Sequence, residues 1–490
     1  MTGQSSQRKV LALICAGVFL ASLDQTSVVT ALPAIMFDLE IAVNRLDDVS
    51  WVISAYLLAF GLSLPIMGRA GDLYGHRKVF LTSLGLFALG SVLVAVSTSL
   101  LGVVLSRLIQ AVGGGGLIPS GMVLGSHSDG GGQHKISKPL VLGLIAGAAE
   151  IGAVLGPLYG GMIIELLGWR AIFWSNVIPL AVLLIIARRL KETSKSRGRF
   201  DVIGAALLSL GLLLFSIGLS QQGTYSTDTL MPYSLLTLSG LILGGFFLIE
   251  SRIIHPILHR RFLFSGVFLI AFLTQFLLGG SLIMVLLTIP VMGNTVFGMS
   301  SMESALLLLR FTIAIPFGAV LGGYMMKFVP MRASLVTGLF LVATSLFFLS
   351  RWEIGSGTFE QSLHLVLGGL GFGLVIVPLI SLAISIGKGA YEGTAVGLIT
   401  LARMLGMTFG LVAVSTWGMN QFRSVTELLV FPVPVVGEDI SEFKTRILSY
   451  QTGVTEASLE LFSTFFLIGS ILSLIAIVPA LFIPGWSDRS

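Results

Sequence analysis

Fourteen long apolar runs occupy most of this chain and constrain its fold more than any other feature. They lie at about 10–35, 51–69, 79–99, 101–124, 138–167, 171–189, 202–220, 231–250, 266–293, 302–328, 333–350, 363–387, 394–420 and 457–483. Each has about the 20 residues that an α-helix needs to cross a bilayer. Because 54% of the residues are hydrophobic and 11% are charged, a water-soluble fold could not bury this apolar surface. The sequence predicts an all-α integral membrane protein.

The distribution of basic residues predicts the orientation of these helices. With the N-terminus inside, twenty of the 29 Lys and Arg residues fall in inner loops and tails, and six fall in outer loops. Cytoplasmic loops are enriched in Lys and Arg, so both termini are expected in the cytoplasm. The first run has no small-residue cleavage site, which favours an uncleaved helix over a signal peptide. The basic residues are scattered in short loops, so no nucleic-acid partner is expected.

Two polar connections interrupt the pattern. The basic linker from Arg188 to Arg199 follows the sixth run and is a natural boundary between two halves. The outer connection at about 421–460 contains the break FPVPVVGED and then the helix-like stretch SEFKTRILSY. Because this stretch continues into the last apolar run, we predict a helix that extends beyond the outer surface. A loose loop is the alternative.

The fifth run contains the most unusual stretch, GAAEIGAVLGPLYGG. On a helix, three of its glycines form one stripe against which a neighbouring helix can pack closely: Gly152, Gly156 and Gly160. Pro157 leaves the carbonyl of Ala153 without its usual hydrogen bond, so a neighbouring group must supply one. Glu150 lies roughly 160° from the stripe, on the face of Gly161. Tight packing alone explains the glycines but not a buried carboxylate, which is costly in a bilayer and predicts function.

Two pairs of opposite charges are expected inside the membrane. Asp24 lies in the outer half of the first helix, and Arg107 and Gln110 share a face of the fourth helix. Asp24 and Arg107 both lie about 9–10 Å below the outer surface, at about 1.5 Å per residue. They are expected to meet, either as a proton switch or as a static pair that fixes packing. By the same count, Glu150 and Arg403 lie near mid-depth, which predicts an ion pair between the halves.

The loop between the second and third runs, GRAGDLYGHRK, is a distinct motif. Its glycines allow a tight turn, and Asp72 is suited to capping the next helix. The basic side chains of Arg77 and Lys78 are expected to face acidic groups or anionic headgroups. An ordinary positive-inside turn is the alternative. The residues that carry the motif are Gly68, Asp72, Gly75, Arg77 and Lys78.

These motifs resemble those of a known family. GRAGDLYGHRK is similar to the helix 2–3 signature of the major facilitator superfamily, and LDQTSVVTALP, RLIQAVGGGG and GAVLGPLYGG resemble helix signatures of its fourteen-helix drug:proton antiporter branch. The resemblance implies a major facilitator fold with six-helix bundles at residues 1–190 and 263–490. Between them, residues 191–262 form a basic linker and two inserted transmembrane helices, and the bundles rock about a central cavity. Ala111 departs from the fourth-helix signature, which usually has glycine there.

Three segments resemble a narrower group, the mycobacterial triacylglyceride exporters that work with a lipid-carrying lipoprotein. They are GAAEIGAVLGPLYGG, IAIPFGAVLGGY and LARMLGMTFGLVAVSTWGM. The resemblance implies that Glu150 and Arg403 lock the two domains together, that Asp24 couples transport to protons, and that a long outer helix extension is present. It also implies a bacterial-type inner membrane, a monomer, and an outer-side lipoprotein as partner.

The expected function is proton-coupled export of a lipophilic substrate, with a triacylglyceride-like lipid favoured. Multidrug efflux of lipophilic or cationic drugs is the first alternative, and a non-transporting membrane receptor or scaffold is the second. Gln110, Gln275 and Arg310 are candidate polar groups of the cavity, and Arg310 has no role from the resemblance. The sequence lacks the nucleotide-binding motif GxxxxGK[ST], so it predicts no ATP-driven transport. Cys15 is the single cysteine, so the sequence predicts neither a disulfide nor a thiol metal site. The proton gradient is the expected energy source, with no cofactor.

Overall fold

In the computed structural model, the described residues are 4–41, 46–128, 136–220, 230–253, 256–259, 262, 265–426, 429, 431–433 and 439–483. The predicted outer connection at 421–460 falls partly outside these residues. The first half contains α1 (Gln4–Ser27), a 3₁₀ turn (Val28–Ala31), α2 (Leu32–Asp38), α3 (Leu46–Tyr74), α4 (His76–Val96), α5 (Leu100–Ser126), α6 (Lys138–Leu167) and α7 (Arg170–Ala187). The inserted helices are α8 (Val202–Ser220) and α9 (Met231–Glu250).

The second half contains α10 (Gly266–Thr295), α11 (Ser301–Thr312), α12 (Ala314–Met325), α13 (Met331–Leu349), α14 (Thr358–Gly387) and α15 (Glu392–Val412). A π-helical segment (Ala413–Gly418), α16 (Met419–Thr426) and α17 (Ile440–Ala480) follow. Within the described residues, thirteen helices are long and apolar enough to cross a membrane, and Val202–Gly218 is a shorter apolar helix. The predicted all-α membrane fold is confirmed.

The helices pack as two bundles. The helices α1 and α3 to α7 contact one another, and α10 to α15 contact one another and α17. The main contacts between the bundles join α3 to α15 and α6 to α12. The inserted α8 and α9 pack chiefly on each other, and α8 also contacts α3 and α15. Buried Leu208, Leu212 and Phe246 of this inserted pair form a small apolar cluster with Leu401 of α15.

The last helix is much longer than a bilayer requires. With 41 residues, α17 is about 60 Å long at about 1.5 Å per residue, about twice the hydrocarbon thickness. Its N-terminal part contacts the segment before it, where Arg446 donates to the carbonyl of Val433 at 2.9 Å and Tyr450 packs edge-on against Phe431. The helical part of the predicted extension is therefore present, and the loose-loop alternative is wrong for residues 440–460.

Candidate functional site

A buried polar cluster surrounds Asp24 in the first bundle. Arg107 donates from Nη1 to Asp24 Oδ2 at 2.5 Å, and Gln110 donates from Nε2 to Asp24 Oδ1 at 3.0 Å. Asn176 of α7 donates from Nδ2 to the same Oδ1 at 2.7 Å. The Asp24 and Arg107 side chains have no exposed surface. The predicted meeting of the first and fourth helices thus occurs in a fully buried site where three side chains donate to one carboxylate.

The guanidinium of Arg107 is held by more than its partner acid. Nη1 also donates to Gln110 Oε1 at 2.7 Å, and Cζ lies 3.8 Å from the centre of the Tyr56 ring, within cation–π range. Gln110 in turn donates to Ser91 Oγ at 2.8 Å. Nε and Nη2 of Arg107 are buried and have no hydrogen-bond partner among the described residues. A buried pair of this kind strongly resists the loss of either member, because the remaining charge would be uncompensated.

A second ion pair joins the two bundles. Arg403 of α15 donates from Nη1 to Glu150 Oε1 of α6 at 2.8 Å. Their side chains are 22% and 17% exposed, whereas the Asp24 and Arg107 side chains have no exposed surface. On the same face of α6, Gly143 and Gly147 approach Ala319 and Val320 of α12. The face of α6 opposite the glycine stripe therefore forms the contact with the second bundle.

Glu150 and Arg403 lie on the wall of a cavity of about 370 Å³ between the bundles. Both bundles and the inserted helix α8 line it, α8 through Leu212 and Ser216. Most lining residues are Leu, Ile, Met, Ala or Phe; the polar ones besides the ion pair are Ser22, Gln25, Thr26, Ser216, Thr400 and Thr408. A cavity with one ion pair and few hydrogen-bonding groups suits a lipophilic molecule.

The predicted loop motif forms a second link between the bundles, from the end of α3 to the start of α15. Asp72 accepts from the backbone N–H groups of Gly393 at 2.8 Å and Thr394 at 2.9 Å, and from Thr394 Oγ1 at 2.6 Å. These N–H groups belong to the first turn of α15, where a carboxylate is stabilised by the helix dipole. Asp72 was predicted to cap its own neighbouring helix, and this is wrong. Gly75, which has φ +104°, is the N-cap of α4 instead, and the Asp72 side chain reaches across the interface.

The other motif residues support this link. A Cβ at Gly68 would collide with the carbonyl of Gly393, so glycine permits the close approach of α3 to α15. The backbone N–H of Arg77 donates to Glu192 of the linker at 2.9 Å, and Lys78 is exposed. We call the contacts of residues 68–78 with α15 the cytoplasmic gate, a name that uses the predicted orientation.

The comparisons with known proteins agree on one family. The Major Facilitator Superfamily model matches residues 14–411. The chain belongs to the Major Facilitator Superfamily. A protein named triacylglyceride transporter from Mycolicibacterium hassiacum is 33% identical over 96% of this chain and 91% of its own. A triacylglyceride transporter from Mycobacteroides abscessus is 34% identical over 88% of this chain and 87% of its own.

Solved structures share the fold. The proton:xylose symporter XylE is similar with a TM-score of 0.63 and 13% identity, over 98% of this chain and 97% of its own. The E. coli fucose:proton symporter FucP is similar with a TM-score of 0.56 and 14% identity, over 96% of this chain and 99% of its own. Identities this low establish the fold alone. Membership of this superfamily makes the chain a membrane transporter rather than an enzyme.

In this Major Facilitator protein the glycine stripe of α6 packs on α1. Cβ atoms at its three members would meet backbone of α1 at Phe19, Leu23 and Ser27; the members are Gly152, Gly156 and Gly160. Thr26 Oγ1 donates to the carbonyl of Ala153 at 2.9 Å, which supplies the hydrogen bond that Pro157 cannot give. Gly161 lies off the stripe, with no atom within 4 Å of a Cβ at that position.

The three candidate polar residues of the cavity lie elsewhere. Gln110 is completely buried and belongs to the Asp24 cluster. Gln275 is buried in α10, and Arg310 donates to Ser362 Oγ of α14 at 2.8 Å. None of the three lies among the residues that line the central cavity. Periodicity within a single helix places a residue on a face, but it does not identify the neighbour of that face.

Sequence reasoning missed Asn176 and Gln25. Asn176 is an amide inside the apolar run 171–189, and the rule that polar groups inside a bilayer need partners would have singled it out. It also lines a second cavity of about 440 Å³ between α1, α6 and α7. Gln25 follows Asp24 in sequence but faces the central cavity instead. Adjacent residues of a helix point about 100° apart, so the two serve different sites.

Proposed function

We propose that this protein is a proton-coupled exporter of a triacylglyceride-like lipid. One observation carries the proposal: an apolar cavity between two bundles has the ion pair Glu150–Arg403 on its wall, while a second acid, Asp24, is buried inside one bundle. Proteins named triacylglyceride transporters match this chain over most of its length, which supports the lipid class. The sealed acid supplies a site where proton binding can change the energy of one state relative to another.

In the proposed cycle, the Glu150–Arg403 pair and the cytoplasmic gate hold the bundles together at different levels. A proton that reaches Asp24 neutralises it and weakens its bonds with Arg107 and Asn176. Because α1 packs against α6 along the glycine stripe, a shift of α1 changes the position of Glu150. The bundles, with the boundaries predicted from the sequence, then rock about the cavity, and lipid leaves as protons enter.

The proposed setting is a bacterial-type inner membrane, with both termini in the cytoplasm and α17 reaching outward. The protein is proposed to act as a monomer that passes lipid to a lipid-carrying lipoprotein on the outer side. The length of α17 supports this arrangement, because a helix of 41 residues is about twice as long as the hydrocarbon layer is thick. No cofactor is proposed, since the proton gradient supplies the energy.

The proposal is tested with purified full-length protein in liposomes that carry a proton gradient. We expect the gradient to drive movement of fluorescent triacylglyceride, with proton flux that requires the lipid. Protein that carries both Glu150→Gln and Arg403→Ala is the inactive control. Gradient-driven movement of cationic dyes without lipid movement would make the chain a multidrug efflux pump. Absence of both lipid movement and dye movement would favour a non-transporting receptor or scaffold.

The outer extension separates lipid export from drug efflux. Removal of residues 441–458 is expected to reduce triacylglyceride export while leaving dye efflux near its original level. Small molecules can leave directly into water and do not need the helix extension to reach a carrier. Equal loss of both activities would show that the extension supports the fold rather than the lipid route. A deletion of whole helical turns keeps the remaining residues of α17 in register.

A further inference from the structure

Two carboxyl groups outside the Asp24 and Glu150 sites meet at the ends of the inserted helices. Asp201 immediately precedes α8, and Glu250 is the last residue of α9. A Cβ placed on Gly204 would touch both Asp201 Oδ2 and Glu250 Oε2, so these two oxygens face the same small space.

The two facing oxygens lack any donor from the rest of the described chain. Glu250 is 1% exposed, and Glu250 Oε2 and Asp201 Oδ2 are both buried without a hydrogen-bond partner. The other oxygens are occupied, because Glu250 Oε1 accepts from the N–H of Leu258 at 2.5 Å and Asp201 Oδ1 accepts from the N–H of Gly204 at 2.9 Å. Two carboxylates cannot bond each other unless one carries a proton. A proton shared between Asp201 Oδ2 and Glu250 Oε2 would supply the donor that both oxygens lack.

The charged surroundings do not replace that proton. Asp201 is the charged group that faces Glu250 across the space beside Gly204. The basic side chains nearest in sequence, Arg199 and Arg252, are exposed to solvent. His259 stacks on the ring of Tyr391 at 4.7 Å between centroids. In the described part of α8 and α9, the residues between Asp201 and Glu250 include no further Asp, Glu, Lys or Arg.

The carboxyl pair is connected to the cytoplasmic gate by direct contacts. Leu258, which donates to Glu250, precedes His259, and both His259 and Phe262 pack on Tyr391. Tyr391 is the N-cap of α15, and the guanidinium of Arg69 lies over the Tyr391 ring, with 4.3 Å from Cζ to the ring centre. The next residues along the chain supply the N–H groups that Asp72 binds.

We propose that Asp201 and Glu250 form a second proton-binding site, which fastens the inserted helices to the cytoplasmic gate. With one shared proton, the pair holds residues 256–259 in place and keeps Tyr391 against Arg69. Release of that proton to the cytoplasm leaves two adjacent carboxylates, which repel each other and detach Glu250 from Leu258. The gate then loses a support, so a high cytoplasmic pH opens it and a low pH keeps it closed.

The site is tested by measuring the width of the cytoplasmic side. Spin labels are placed on exposed positions of the two bundles, Arg189→Cys and Lys388→Cys, in full-length Cys15→Ala protein in lipid nanodiscs. The distance distribution is recorded at pH 6 and pH 8. The parent protein is expected to shift to longer distances at pH 8. Absence of that shift would overturn the proposal.

Variants of Asp201 and Glu250 test whether this carboxyl pair causes the pH-dependent change in distance. Glu250→Gln replaces the shared proton with an amide donor, so it is expected to keep the short distance at both pH values. Asp201→Asn is a second variant with the same expected result, should the first fold poorly. Glu250→Ala removes the connection and is expected to give the long distance at both pH values. An unchanged pH response in Glu250→Gln overturns the proposal.

Other titratable groups near the gate set the remaining controls. His76 lies 3.1 Å from Asp72, and His127 lies 3.5 Å from Glu392. A response that persists in Glu250→Gln belongs to one of these histidines. Glu165→Gln, which removes an exposed carboxyl group of α6, should retain the full shift. If millimolar Ca²⁺ restores the short distance at pH 8, the pair is a cation site and the proton proposal fails.

Discussion

The two ion pairs of this protein differ in almost every physical respect. Asp24 and Arg107 belong to the same bundle, have no exposed side-chain surface and are joined to Gln110 and Asn176. Glu150 and Arg403 belong to different bundles and are partly exposed to the central cavity. One hydrogen bond, at 2.8 Å, joins them.

This difference separates two tasks. A charge pair that links two moving bodies must break and re-form, and access to water lowers the cost of each separation. A charge held by several donors in a dry interior is set in one arrangement, and its protonation is a large local change. The partly exposed pair is suited to a reversible contact between the bundles. The buried pair is suited to a site where the binding of one proton changes the local structure.

The largest effect is expected from Asp24→Asn, which leaves Arg107 buried without its counter-charge. Proton-driven lipid transport should fall to background, and the free energy of unfolding should drop by about 3–5 kcal/mol. Denaturant unfolding in detergent and liposome transport measure the two quantities. Asp38→Asn is the matched control, because Asp38 pairs with Arg170 at an exposed site and should change stability by about 0–1 kcal/mol. Similar losses in both variants would contradict the distinction.

The next largest difference is expected when the acid and the base of each ion pair are exchanged. Glu150→Gln and Arg403→Ala should each lower transport at least about tenfold, which is about 1.4 kcal/mol. Glu150→Arg combined with Arg403→Glu should restore part of it, because the pair has one hydrogen bond to reproduce. Exchange of Asp24 and Arg107 should restore nothing, because Gln110 and Asn176 donate to a carboxylate at a fixed place.

Liposome transport by single and exchanged variants gives the coupling energy of each pair. Glu165→Gln, at an exposed position on the same helix as Glu150, is the control for a lost carboxylate. Independent effects of the two Glu150–Arg403 substitutions would mean that the residues do not act as a pair. Recovery of transport after the Asp24–Arg107 exchange would remove the difference between the pairs.

Asn176→Leu should have a smaller effect and should report on the sealed cluster alone. It removes one donor to a charged group, at a cost of about 1.5–3 kcal/mol in unfolding free energy. Glu150-dependent transport should decline in proportion to stability, without a change in the Glu150–Arg403 coupling energy. Asn294→Leu is the control, since its exposed amide bonds only its own helix at Pro290. A changed coupling energy would show that the two pairs communicate through α7.

The smallest effect is expected from Thr26→Val at the contact of α1 with α6. Loss of its hydroxyl leaves the carbonyl of Ala153 without a donor, at a cost of about 1 kcal/mol. The melting temperature of the purified protein measures this loss. Thr82→Val, which removes a bond within one helix, should cost less. An equal cost at both positions would mean that the proline-containing turn of α6 finds another donor.

Much of the fold could be predicted from the sequence because helix length, apolar content and loop charge are local properties. The pairing of Asp24 with Arg107, and of Glu150 with Arg403, was also accessible, since buried charges need partners and depth limits the choice. The roles of these residues in transport stay predictions.

Other features depend on which helices are neighbours. The long-range partner of Asp72 is the start of α15, more than 300 residues away, and the Asp72 side chain alone does not identify it. Asn176 belongs to the Asp24 site because α7 lies beside α1. Arg310 meets Ser362 of α14 for the same reason. Helix arrangement, rather than sequence periodicity, determines these contacts.

The unbroken length of α17 has a mechanical consequence. Its second half packs on α10 and α13, and no residue interrupts the helix between Ile440 and Pro479. If the second bundle tilts by about 10°, the far end of a rod of about 60 Å sweeps about 10 Å. A small angular change beside the cavity is thereby converted into a large displacement of the N-terminal end of α17.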